Sequence, residues 1–69
     1  MSIQYLLVTF AEDRTVLADG LSVGVTNHTI MLPANEYTIS LSGSGFKPAS
    51  QEAVLNRTSV MKPLVISFS

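Results

Sequence analysis

With 69 residues, 46% of them hydrophobic, 13% charged and none of them cysteine, the chain has room for one small folded domain. The missing cysteine excludes a disulfide staple, a thiolate nucleophile and a cysteine metal site. The net charge is −1, and the basic residues Arg14, Lys47, Arg57 and Lys62 are scattered, so no basic stripe is available to neutralise the phosphates of a nucleic acid.

Ile3 to Phe10 (IQYLLVTF) opens the chain with β-branched and aromatic residues and no turn former. It reads as a strand buried on most of its length, interrupted by Gln4 and Thr9. Ala11-Glu12-Asp13-Arg14 is a polar break. Thr15 to Ala18 is a short second strand, and Asp19-Gly20 after it is a strong signal for a tight reversal. Leu21 to Gly24 continues that turn region, with Gly24 able to take a positive φ. Val25 to Leu32 holds another short strand after a polar crossing at Asn27 and His28, and Pro33-Ala34-Asn35 turns the chain again.

Glu36 to Ser42 shows the clearest alternation: Tyr37, Ile39 and Leu41 point one way, Thr38, Ser40 and Ser42 the other. Gly43-Ser44-Gly45 and Phe46-Lys47-Pro48 break the pattern. Gln51 to Leu55 is a strand, and Asn56-Arg57-Thr58-Ser59 a polar turn. Val60 to Phe68 closes the chain. Lys62 falls on its apolar parity and Pro63 cannot donate to a ladder, so this strand is an edge, is bulged, or starts after Pro63. No segment carries a helical period with caps. The expected fold is therefore all-β: a small antiparallel β-sandwich of about six or seven short strands, Greek-key-like, filling residues 1–69.

The pieces Thr9 to Gly20 (TFAEDRTVLADG), Gly24-Val25-Thr26, Ile30-Met31-Leu32-Pro33, Tyr37-Thr38-Ile39 and Gly45-Phe46-Lys47-Pro48, in that order, resemble a PEGA domain. That family reads as a strand ending in Pro-Glu-Gly-Ala, a strand ending in Asp-Gly, a Gly-x-Thr-Pro turn, a Pro-Gly turn and a Gly-Tyr or Gly-Phe step. Here the namesake residues become Ala11, Glu12, Asp13 and Arg14, Asn27 follows Thr26 in place of proline, and Asn35 replaces the turn glycine. The resemblance implies a small β-sandwich module of the kind attached to bacterial cell-surface proteins and other larger chains, and it implies no catalytic residues. Phe46 is expected to plug the core beside its turn.

The chemistry-bearing residues are few. His28 is the one histidine. With Asp13 or Asp19 and the many serines and threonines a triad can be written on paper. Such a set is expected by chance in a chain this rich in serine and threonine, so His28 reads as a loop residue between two strands rather than a general base. Glu12, Asp13 and Asp19 could offer oxygens to a hard cation, but the Asp-x-Asp-x-Asp-Gly pattern is missing, and a solvated turn accounts for them. Gly43-Ser44-Gly45 lacks the Gly-Lys-Ser/Thr ending of a phosphate loop. Asn27-His28-Thr29 and Asn56-Arg57-Thr58 are formal glycosylation sequons and read as polar turns. No catalytic residue, metal site or cofactor is expected.

The functional expectation is a non-enzymatic module that binds a protein partner, or itself, through sheet edges and loops. The candidate edge is Thr15, Val16, Leu17 and Ala18, a strand without charge or proline. The alternative is a small carbohydrate-binding module of the bacterial cell surface, which requires an exposed aromatic platform and predicts an exposed Tyr5. Membrane insertion is not expected, because the apolar runs fall far short of the ~20 residues of a spanning helix. Ile3 to Phe10 lacks a basic flank and does not read as a signal peptide. A cytoplasmic location is expected for a full gene product, and the cell surface or periplasm for a domain excised from a larger protein.

Overall fold

A computed structural model describes residues 2–69. The elements are β1 (Ile3–Thr9), β2 (Thr15–Ala18), β3 (Leu21–Val25), β4 (Ile30–Pro33), β5 (Asn35–Leu41), β6 (Gln51–Leu55) and β7 (Leu64–Ser67). They form two sheets, a three-stranded one ordered β4-β1-β7 and a four-stranded one ordered β3-β2-β5-β6. The fold is an all-β sandwich. Pairing is antiparallel except between β1 and β7, the first and last strands, which run parallel with Leu6 opposite Leu64 and Val8 opposite Ile66. Parallel neighbours need a long connection, and here everything from β2 to β6 supplies it.

The core lies between the sheets and follows the two-residue period of each strand. Leu6 and Val8 of β1, Ile30 and Leu32 of β4 and Ile66 of β7 face Val16 and Ala18 of β2, Ile39 and Leu41 of β5 and Ala53 and Leu55 of β6. Fully burying each such leucine, isoleucine or valine contributes about 1.5–3 kcal/mol. Phe46 joins this core edge-to-face against Phe68, with ring centroids 5.8 Å apart, as a plug beside its turn. The peptide groups of Lys47 and Ser69 bond to each other in both directions, which ties that turn to the end of the chain.

Two expectations are corrected. Leu21 to Gly24 is not turn but most of strand β3; the reversal is confined to Asp19 (φ 51°) and Gly20 (φ 84°). Asp19 and Gly20 take the left-handed conformations that a tight two-residue hairpin requires. Gly24 has no positive φ. A Cβ there would come within 2.6 Å of Ile30 Cγ1, so glycine is required by close packing, not by backbone conformation. The short strand expected after the polar crossing at Asn27 and His28 is β4, starting at Ile30, and Val25 before the crossing ends β3. Ile3 to Phe10 is buried or half-buried on most of its length, as expected: Gln4, Leu6 and Val8 face the core, while Ile3, Tyr5, Leu7 and Thr9 point outward and of these only Ile3 is exposed.

The last strand starts after Pro63, as one reading of its parity allowed. Before it, Ser59 and Lys62 bond backbone to backbone in both directions, placing the exposed Val60 and Met61 at the tip of a tight reversal. Upstream, Thr58 substitutes for a strand alongside the start of β1. Its hydroxyl accepts from the Tyr5 N–H at 2.7 Å and donates to the buried Gln4 Oε1, which also accepts the Thr58 N–H.

Candidate interaction surface

Thr15, Val16, Leu17 and Ala18 do not form an edge. They are β2, which pairs with β3 on one side and β5 on the other, and Val16 is fully buried. The lack of charge that suggested an unprotected edge belongs to a strand inside a sheet, where charge has no place. The four true edge strands are β3, β6, β4 and β7. Each is blunted in some way. β4 ends in Pro33, and β7 follows Pro63 and gives its Ser67 carbonyl to the Gln51 side chain. β6 carries Glu52. β3 is bulged opposite Val16 and Leu17, where Val23 is the extra residue.

The polar candidates of the sequence are absorbed by the fold. Where the chain crosses from β3 to β4, Thr26 and Asn27 divide their bonds between the two sheets. The buried Thr26 hydroxyl donates to the Glu12 carbonyl and accepts from the Arg14 N–H, each at 2.8 Å, just before β2. Asn27 takes φ 67°, and its carboxamide pairs with both backbone groups of Phe10, just after β1. This amide is thus a peptide surrogate that continues β1's ladder, a role that its sequon did not reveal. The Arg14 guanidinium lies over the Phe10 ring at 5.0 Å, meets Glu12 at 2.7 Å and donates to the carbonyls of Ser42 and Ser44.

His28 Nε2 lies 3.6 Å from Asp13 Oδ2, with both side chains largely in water. Asp19 does not join Glu12 and Asp13. It sits beyond the other end of β2, where its carboxylate accepts the Thr38 N–H at 2.9 Å and its own N–H bonds the Thr38 carbonyl. Gly43-Ser44-Gly45 is a loop held by Arg14. Among the described residues there is no grouping of metal-ligating side chains and no surface cavity. All five aromatic rings are buried or half-buried, Tyr5 included.

What remains is a difference between the two outer sheet faces. On the β3-β2-β5-β6 face, the apolar Leu17 lies between Ser22 and Ser40, Val54 lies opposite Glu36, and Thr38 donates to Glu52. On the β4-β1-β7 face, apolar side chains meet each other. Ile3 is opposite Pro33, Tyr5 opposite Met31 and Leu7 opposite Val65. Ile3, Met31 and Val65 are 50%, 66% and 55% exposed. The polar pair Thr9 and Ser67, bonded through their hydroxyls, closes one end. No charged residue lies on the outward positions of these three strands.

A family model described as the PEGA domain matches residues 4–65, nearly the whole chain. No curated protein and no solved structure matches it.

Proposed function

The chain belongs to the PEGA domain family, and on that premise we propose that it is a non-enzymatic protein-interaction module. The observation that carries this reading is the uncovered apolar face of the β4-β1-β7 sheet. A sheet with one face in the core normally turns polar residues to water on the other. The second sheet of this same chain intersperses its outward Leu17, Val25 and Val54 among serine, threonine and glutamate, each with a polar residue opposite it. Contiguous apolar surface of this kind marks a site of association. The binding element is thus a sheet face rather than the strand edge expected from β2. The half-buried rings give carbohydrate no aromatic platform to stack on, so a protein surface is the better match.

The test is to replace Met31 and Val65 together by threonine and follow thermal unfolding in a dilution series. At the dilute limit the variant should match the parent to within about 0.5 kcal/mol per site, because neither side chain supports the monomer core. A loss of about 2 kcal/mol or more there would make the face structural and remove this reading.

A further inference from the structure

We propose that the occupant of the β4-β1-β7 face is a second copy of this chain, packed sheet against sheet about a twofold axis. The inference rests on the interaction-module reading and adds the partner's identity. Four observations converge on it. The first is β1 itself. A near-continuous apolar run is the pattern of a strand covered on both faces, yet within this chain one face of β1 is core and the other turns Ile3, exposed, and Tyr5 and Leu7, half-buried, outward.

The second is shape. The outer face of β4-β1-β7 is a three-stranded sheet surface with no cavity among the described residues. A sheet face fits another sheet face, with strands aligned within about 30° and side chains interdigitating. In a twofold dimer the same patch serves both sides.

The third is charge. The face carries none, and the whole chain carries −1, so two copies meet without repulsion and a strongly charged partner finds no complement there. The fourth is area. Ile3, Met31 and Val65 leave on the order of 300 Å² of side chain in water, and Tyr5, Leu7 and the rim raise the face to roughly 500 Å². Two such faces would bury about 1,000 Å² in total, at the lower bound for a biological interface and below the ~1,600 Å² of a standard one. An interface this small gives a weak dimer, with half-association expected at roughly 10 μM to 1 mM.

The deciding experiment is sedimentation equilibrium of the 69-residue chain from about 1 μM to about 2 mM at low and high salt, a span set by the expected affinity. The expected result is a mass rising from monomer to dimer and stopping there, with association kept or strengthened at high salt. Met31→Lys should weaken it at least about tenfold, and Ser40→Lys on the opposite face should leave it within about twofold. Amide shifts of the parent chain supply a readout free of any substitution. They should move with concentration in β1, β4 and β7 and stay fixed in β5 and β6. A monomer across the whole range overturns the proposal. So does a dimer indifferent to Met31→Lys, or shifts confined to β5 and β6. A monomer whose Met31 and Val65 substitutions are neutral at the dilute limit removes only the second copy as partner. A destabilised one removes the interaction reading too.

Discussion

On the outer surface of the β3-β2-β5-β6 sheet, Leu17 lies between two serines and Val54 faces a glutamate. On the outer surface of β4-β1-β7, Tyr5 faces Met31 and Leu7 faces Val65. Both sheets draw on one interior, with leucine, isoleucine and valine facing across it. The exteriors therefore differ for a reason that the monomer's core does not supply. Isolated apolar residues are ordinary on a surface, whereas apolar cross-strand pairs side by side make a patch from which water gains by leaving.

The comparison is sharpest between neighbours on one strand. Leu6→Ala, on the inward side of β1, should cost about 2–5 kcal/mol, enough to unfold much of a domain this small. Leu7→Thr, one residue on and outward, should cost less than about 1 kcal/mol in the dilute monomer. Denaturant titration of both variants measures the contrast, and equal losses would end the distinction between a core face and a free face. Next in size is Thr26→Val. It leaves the Arg14 N–H and the Glu12 carbonyl without their buried hydroxyl partner and should cost about 1–3 kcal/mol by the same titration. A negligible change would mean that the two sheets are not locked at this crossing. The smallest effect is the converse substitution. Thr38→Val with Ser40→Val gives the polar sheet an apolar exterior, and should alter monomer stability by less than about 1 kcal/mol while raising the chain's tendency to associate, read as mass by light scattering. Unchanged mass would show that apolar pairing on a sheet face is not sufficient for association.

Much of the fold was legible because strand periodicity is local. The alternation in Glu36 to Ser42 marked β5, Asp19-Gly20 marked the reversal after β2, and Pro63 marked where β7 could begin. β3 was missed because it is half-exposed, carries Ser22 and Gly24, and shows no clean alternation. Gly24 was assigned a turn role because glycine most often serves one. The need for it comes from Ile30, six residues on, whose side chain occupies the space where a Cβ would stand. Asn27 gave no local sign that its amide would complete β1's ladder.

The surface was less legible than the fold. The absence of charge in Thr15 to Ala18 is compatible with an unprotected edge and equally with a strand inside a sheet, and only pairing order separates the two. The apolar run of β1 marked a strand buried on most of its length, but only strand pairing shows which side is core and which is a half-covered outer face.

By itself the sequence determined the strand-rich class, most turn positions and the inward set of the clearest strand, because turn conformations and two-residue alternation act over a few residues. Its ordered turn and strand pieces also carried the family resemblance. Tertiary structure alone decided that β2 is internal, that β7 lies parallel to β1, and that one sheet face sets its apolar residues opposite polar ones while the other sets them opposite each other. Those properties depend on which distant strands become neighbours, and backbone hydrogen bonds, the same for every residue but proline, leave no mark of their partner in the local sequence.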